Sequence, residues 1–192
     1  MNGISLPHTP PGLTYAEDFI SKAEEAELIQ IVQESGLTPF RFQGWVVKRL
    51  TASLGWHYDF DHAAFAPTTS IPESLQPLRV RATFFAGLEP HAIVQALLVR
   101  YDPGAGIGWH RDRSVFEHVL GISLGDPAVL RLRRRNPEGG FTRAHQLLEP
   151  RSIYHLSGEA RHQWEHSIAP SEVRRWSITF RSLSHRGKRS PP

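Results

Sequence analysis

The sequence predicts an α+β protein: an antiparallel β sandwich or barrel with two N-terminal helices packed outside it. Three observations carry that expectation. From residue 90 onward six short apolar and β-branched runs follow one another: AIVQALLVRY, HVLGISLG, AVLRLRRR, SIYHLSG, WEHSIAP and RWSITFRSL. Pro/Gly punctuation such as DPGAG, GDP and NPEGG separates several of them, and short runs broken by such turns read as strands. Helical periodicity is confined to the residues before 90. Finally, 192 residues with 40% hydrophobic and 21% charged content fit one domain with a core of its own.

Taken in order, residues 7–13 form a Pro-rich lead-in. Ser21-Lys22-Ala23-Glu24 fits a capping box, in which Ser and Glu satisfy orphan amides at a helix start. Leu28, Ile31 and Val32 follow at helical spacing and Gly36 is a stop, so a helix is expected over 21–35. PFRFQGWVVKRL and LGWHYDFDHAAFAPTTSIP mix aromatics with Gly and Pro and read as a hairpin followed by an irregular loop. Pro77 opens a second helix, which runs through Leu78, Ala82 and Phe85 to Gly87, because proline costs nothing where its missing N–H has no partner. The polar tail SHRGKRSPP is expected to be disordered.

Composition removes several chemistries. With no cysteine, disulfides, thiolate metal sites and a Cys nucleophile are excluded, so any metal ligands must be His and carboxylate. No apolar stretch is long enough to span a membrane and no signal peptide is visible, so a cytoplasmic protein is expected. Residues 1–100 carry 7 Lys/Arg against 10 Asp/Glu, and residues 101–192 carry 15 against 9. Nearly all the cations are Arg, which suits bidentate contacts to carboxylate or phosphate; a general bias toward Arg would give the same count.

One pattern occurs twice: GWHYD at 55–59 and GWHRD at 108–112. Residues i and i+2 of a strand share a face, so a His and an Asp at that spacing can reach one cation, and an open iron site needs a third ligand from elsewhere. After the second copy such a ligand exists: His166 in WEHSIAP. Beyond it, Arg175 and Arg181 lie six apart on one strand, hence on one face. After the first copy come Phe60, Asp61, His62 and AAFAPTTSIP, with no Arg pair. His57, Asp59, Asp61 and His62 form a possible cation set of their own, but a solvated aromatic loop is the preferred reading there.

The stretch YDPGAGIGWHRDRSVFEHVLGISLG, then GEARHQWEHSIAP and RRWSITFRSL, resembles the AlkB-like Fe(II)/2-oxoglutarate dioxygenases over residues 40–183. H-x-D, a His 54 residues after the Asp, and R-x5-R follow in that family's order. The resemblance implies a double-stranded β-helix (jelly-roll) core over 89–183. A nucleotide-recognition lid and helices would occupy 14–88, with a flexible lead at 1–13 and a basic tail at 184–192. It implies Fe(2+) held by His110, Asp112 and His166, with 2-oxoglutarate and O2 as co-substrates. Arg175 with Tyr101 would hold the distal carboxylate of 2-oxoglutarate, Arg181 would lie near its metal-bound end, and Ser177 would stand between them. Two departures touch the pocket: Val99 stands where close members have Asn, and Ser114 where they have an acidic residue facing the base.

The reaction so implied is oxidative demethylation of alkylated bases in DNA or RNA by a monomeric enzyme, releasing succinate, CO2 and formaldehyde. The alternative is the same oxygenase core acting on a protein or small molecule; a jelly-roll module that has lost iron is disfavoured by the complete triad and Arg pair. Substrate contacts would come from Trp56, Tyr58, Lys48 and Arg49, where the family keeps its lid; Trp45 and Trp56 have core packing as their rival role. Arg131, Arg133 and Arg135 alternate along RLRRR and either follow a phosphate backbone or form a solvated face. His155 and His162 are read as structural or surface residues.

Overall fold

The computed structural model describes residues 9–42, 45–59, 64–185 and 187, with the side chains of 40–42, 45–47, 57–59, 64 and 65 outside that description. Its elements, in order, are β1 (Leu13–Ala16), α1 (Lys22–Glu34), β2 (Thr38–Phe42), β3 (Trp45–Leu54), β4 (Trp56–Asp59), β5 (Ala64–Pro67), α2 (Gln76–Phe85), β6 (Ile93–Tyr101), β7 (Ala105–His110), β8 (Phe116–Gly125), β9 (Ala128–Arg135), β10 (Phe141–Leu148), β11 (Ile153–Leu156), α3 (Gly158–His162), β12 (Glu165–Ser171) and β13 (Arg175–Leu183). A 3-10 turn at Glu73–Leu75 leads into α2.

Two antiparallel sheets share the last eight strands. The larger has the order β1-β11-β8-β13-β6-β3-β2, and the smaller β10-β9-β12-β7. From β6 to β13 the chain alternates between them, with β9 and β10 as the one consecutive pair in the same sheet. That winding is the expected jelly roll. β13 lies between β6 and β8 at the centre of the larger sheet, and its sequence shows both faces. Trp176, Ile178 and Phe180 join an apolar layer with Leu98, Ile122 and Leu124, which α1 and α2 cover through Leu28, Val32, Leu78 and Ala82. The intervening Arg175, Ser177, Thr179 and Arg181 face the other way, toward the smaller sheet. A second apolar cluster, including Leu130, Leu132, Leu148, Leu156 and Trp164, fills the space between the sheets.

Both expected helices form, α1 with the capping box: the Glu24 amide donates to Ser21 Oγ (3.2 Å) and the Ser21 amide to Glu24 Oε2 (2.8 Å). Several expectations need correction. The segment read as an irregular loop contains a second ribbon, β4 paired with β5, so the WHYD of GWHYD lies on a strand. Among described residues, β10 is a strand the turn-rich reading missed: FTRAHQLL alternates only weakly, and Leu147 is exposed. Residues before 89 also add strands to the larger sheet, β1 beside β11 and β3 beside β6. Within the expected flexible lead, the Ala160 amide donates to the Pro11 carbonyl and the Ser157 amide to that of Gly12. Residues 1–8, and in the tail 186 and 188–192, lie outside the described residues, whereas Ser184 is buried and donates to the Ser114 carbonyl.

His155 is structural, as expected. It is buried on β11 with its Nε2 2.9 Å from Nδ1 of His118 on β8. Burial, and then the neighbouring His118, lowers its pKa to about 4. A histidine with a depressed folded-state pKa takes up its proton more readily when unfolded, so its contribution to stability is present above about pH 6.5 and is lost as pH falls toward 4. We predict that urea melts of the metal-free protein lose on the order of 2–3 kcal/mol from this group over that window, and that His155→Gln flattens the dependence. An equal slope in wild type and variant would refute this assignment.

Candidate metal centre

The smaller sheet's edge sets the centre. His110 ends β7, and the register of β12 against β7 places His166 directly across from it. The two imidazoles lie side by side, ring centroids 4.2 Å apart at 56°. Asp112 follows two residues after His110, but in the loop beyond the strand rather than on it. The expectation that strand alternation brings His110 and Asp112 together is therefore wrong in its reason: the chain turns after His110 and carries the carboxylate inward. One ligand atom from each of His110, Asp112 and His166 lies within 4.8 Å of the others. His110 Nδ1 is 2.9 Å from the Gly108 carbonyl; a carbonyl only accepts, so Nδ1 carries the proton and Nε2 is left for a ligand bond.

The donor set is electrostatically prepared. Arg181 Nε donates to Asp112 Oδ1 at 2.7 Å, with both side chains almost closed to solvent. Burial opposes ionisation of Asp112, but the charge of Arg181, then those of His166, His110 and Arg161, outweighs it and holds the carboxyl well below the usual range. His166 moves in the opposite sense: burial, then His110, lowers its pKa to about 3, so it is neutral at physiological pH, as a ligand must be. Its Nε2 stands 3.5 Å from Asp112 Oδ2, and with a neutral ring this is not an ion pair. Oδ2 itself is buried and accepts no hydrogen bond. A buried carboxylate oxygen without a partner costs stability; beside two imidazole nitrogens it fits a divalent cation of the kind taken by two His and one carboxylate.

The inner face of β13 leads away from this point. Arg175, 2% exposed, donates from Nη2 to Ser123 Oγ at 3.0 Å and lies over the Tyr101 ring, 4.9 Å from its centroid. Its Nε and Nη1 are buried without partners. A buried guanidinium with two N–H groups lacking acceptors fits a carboxylate. Ser177 stands between the two arginines, paired in register with Val99 and Ser123. The structure thus brings together six of the seven residues expected for metal and co-substrate on two neighbouring faces, and Tyr101 completes them through Arg175.

The residues expected for substrate are less closely gathered. The Lys48 amine lies over Gly104, 3.0 Å from where a Cβ there would stand. Arg49 Nη1 donates to the Gly106 carbonyl at 3.5 Å. Trp56 begins β4, and its carbonyl accepts from Gln95 (2.8 Å) and Ser53 (2.7 Å). The side chains of Trp45, His57, Tyr58 and Asp59, and all of Asp61 and His62, lie outside the described residues, and no cation set involving them is tested. Arg131, Arg133 and Arg135 alternate with Leu130 and Leu132, which are buried between the sheets. His162 is exposed and binds Glu117 at 2.8 Å; it ends the short helix α3.

Three residues at the centre escaped the sequence reading. Gln95 on β6 accepts from Arg181 Nη1 (3.0 Å) while donating to Ser53 and the Trp56 carbonyl, so it ties the metal carboxylate's partner to the start of β4. A glutamine in the apolar run AIVQALLVRY was its one signal. Arg161, 3% exposed on α3, donates from Nη2 to the carbonyls of Arg113 and Phe116 (2.6 and 2.7 Å) and clamps the loop that carries Asp112. Tyr154 on β11 sits opposite Gly121, where any Cβ would strike its ring. Burial, then the Asp112 charge, raises its phenol pKa, so it stays protonated.

A jelly roll with a two-His, one-Asp centre and a buried Arg beside it defines a class, the non-haem iron oxygenases that use a carboxylate co-substrate. The family model described as the 2OG-Fe(II) oxygenase superfamily matches residues 12–181, and the chain belongs to that superfamily, on its AlkB-like branch. It is 30% identical over 172 residues to "tRNA (carboxymethyluridine(34)-5-O)-methyltransferase alkbh8" of Xenopus tropicalis, covering 87% of this chain and 26% of that protein. The chain therefore spans about a quarter of that relative's length. It is 27% identical over 208 residues to "Alpha-ketoglutarate-dependent dioxygenase AlkB" of Salmonella typhimurium, covering 92% of each. Among solved structures, OsALKBH1 shares the fold, with a TM-score of 0.72, 18% identity, 93% of this chain and all of that one.

The Gln95 contacts generate a prediction. Gln95→Leu leaves Arg181 Nη1 without its acceptor in a nearly closed site, a loss of about 1–3 kcal/mol. Thermal melts should register it, and Fe(II) affinity measured by titration should fall because Arg181 no longer holds Asp112 Oδ1 in place. Unchanged melting together with unchanged metal affinity would show that Gln95 only fills space.

Proposed function

We propose that the chain is an Fe(II)- and 2-oxoglutarate-dependent dioxygenase that oxidatively removes alkyl groups from bases of DNA or RNA, releasing succinate, CO2 and formaldehyde. The observation that carries this reading is the presence of two unsatisfied groups in the same jelly roll: the buried Asp112 Oδ2 beside His110 and His166, and the buried Nε and Nη1 of Arg175. One calls for a cation and the other for an anion, and a metal with a dicarboxylate answers both. Fe(II) bound there supplies the chemistry that couples decarboxylation of 2-oxoglutarate to insertion of oxygen into a C–H bond.

The protein's own residues bind, orient and exclude water. His110, Asp112 and His166 would hold the metal through one donor atom each. Arg175, stacked on Tyr101 and tied to Ser123, grips the far carboxylate of the co-substrate, with Ser177 beside it. Arg181 neutralises Asp112 and offers positive charge near the metal-bound end. Lys48 and Arg49 on β3 and Trp56 and Tyr58 on β4 are the residues this reading assigns to the base; a ring stacked on a base contributes about 1–3 kcal/mol in single-strand binders, and the target must leave its own stack to enter. The alkbh8 relative's name couples it to tRNA, which supports a nucleic-acid substrate. Ser114, a hydroxyl in place of an acid, then presents a neutral group to the base and favours a different donor pattern. A monomer in the cytoplasm completes this reading; no helix among the described residues is long and apolar enough to cross a membrane.

Succinate and formaldehyde release from methylated DNA oligonucleotides and methylated tRNA, with added Fe(II) and 2-oxoglutarate, tests the proposal. His110→Ala should abolish both products and metal binding, whereas His57→Ala should leave metal binding intact. Arg175→Gln should raise the KM for 2-oxoglutarate at least tenfold. Metal loss in the His57 variant with retention in the His110 variant would overturn the site assignment; succinate without formaldehyde on every nucleic acid tried would overturn the substrate assignment.

A further inference from the structure

The outer face of the smaller sheet carries a cluster of arginines that the metal centre does not use. Strand alternation turns Leu130, Leu132 and Ala144 into the core and their neighbours outward. On that outward side Trp109 of β7 is met by Arg133 and Arg131, 4.4 and 5.2 Å from its centroid. Phe141 of β10 is met by Arg133, Arg135 and Arg143, at 4.4, 5.3 and 5.8 Å. Four guanidiniums thus surround two rings in one continuous row across the sheet.

Three features make this row more than a solvated face. The first is uncompensated charge. Register puts Arg143 directly opposite Arg133, and like charges facing across strands destabilise a sheet. Glu165 binds Arg133 at 2.6 Å and Arg131 donates to Ser167, while for Arg135 and Arg143 the Phe141 ring is the contact found among the described residues. The second is orientation. At the exposed Arg135 and Arg143, held near the Phe141 ring, the N–H edge that takes phosphate bidentately is left for a partner. The third is place. In register, the Arg133–Glu165 pair is the row next to Leu132–His166, and Trp109 precedes His110 in the chain, so the cluster borders the metal centre on the far side of the same strands.

We propose that this face is a second contact surface for nucleic acid, holding the phosphodiester backbone of the strand whose base enters the site. It rests on the nucleic-acid reading above and adds a surface of the sheet to it. Charge complementarity selects the partner: planar cations repeated along strands, with aromatic rings between them, match a polyanion carrying stackable bases.

The test is binding of the iron-loaded protein, without oxygen, to a fluorescent single-stranded oligothymidylate over a range of salt concentrations. Each lost phosphate contact lowers the slope of log affinity against log salt by about 0.7 on a single strand, so Arg135→Gln with Arg143→Gln should lower it by about 1.4. Affinity at low salt should fall at least tenfold, and Arg135→Lys with Arg143→Lys should restore most of the slope. Both positions are exposed, so the fold tolerates the change, and Lys22→Gln on α1, an equally exposed cation, should alter neither quantity. An unchanged slope and affinity in the double Gln variant would overturn the proposal, as would displacement of the probe by polyglutamate as effectively as by unlabelled oligothymidylate. If wild type releases formaldehyde from alkylated oligonucleotides while the slope is unchanged, this face alone falls. If wild type neither binds nor demethylates them, the substrate reading falls and takes the face with it.

Discussion

A carboxylate with 5% of its side-chain surface open to solvent stays ionised only if something replaces the water it has lost, and at Asp112 that is Arg181. Stripping a charge of hydration costs several kcal/mol unless a well-placed partner offsets it. Arg181 does so from the centre of the larger sheet, at 2.7 Å. The same guanidinium donates to Gln95 on β6 and lies 5.3 Å from the Phe116 ring on β8. One cation therefore fixes the metal carboxylate to three adjacent strands, and the position of the loop between β7 and β8 follows from that contact and from the Arg161 clamp. If Arg181 moved, Asp112 would have to protonate or swing outward, and the two histidines would face each other with no third ligand.

This constraint explains why the interior between the sheets is polar at one end and apolar at the other. Leu130, Leu132, Leu156 and Trp164 close the space beyond the centre, while Arg175, Ser177, Thr179 and Arg181 line β13 opposite it. Ionised groups in such a space are sustained in pairs or by ligands. Arg181 has its pair in Asp112. Arg175 has a hydroxyl and a ring, and two nitrogens with neither. The difference between the two arginines is that one is satisfied by the protein and the other keeps two buried nitrogens without an acceptor, which is what the proposed carboxylate co-substrate would supply.

How much of this could be read beforehand depended on whether the relevant pattern was local. RWSITFRSL displays its two faces directly, because a central strand between a helix layer and a polar pocket alternates strictly. The capping box at Ser21 was legible for the same reason: its partners are three residues apart. His110, Asp112 and His166 were found by spacing and by resemblance, yet the supposed reason, a shared strand face, was wrong for Asp112. Gln95, Arg161 and Tyr154 were missed because their roles are set by register. Nothing in a single strand says that Gln95 will face Arg181, or that Gly121 will stand opposite Tyr154 and leave room for its ring. β4 and β5 were hidden by Pro and by mixed aromatics, which weaken the alternation that identifies a strand.

The two copies of G-W-H-x-D show how far local chemistry can be from function. In both, a tryptophan and a histidine lie on an edge of β structure. Trp56 heads β4, in a ribbon where, among the described residues, His57 pairs in register with Ala66. Trp109 precedes the last residue of β7, and register there presents His110 with His166. What makes the second copy a metal centre is the strand beside it, together with a loop whose carbonyls are held by Arg161 so that its carboxylate turns inward. The tryptophans differ in the same way: Trp109 points to the outer face and stacks two arginines, whereas Trp56 offers its carbonyl to Gln95 and so to the centre. In the second copy the pentapeptide supplies two of the donors, and the pairing of β7 with β12 brings the third to them.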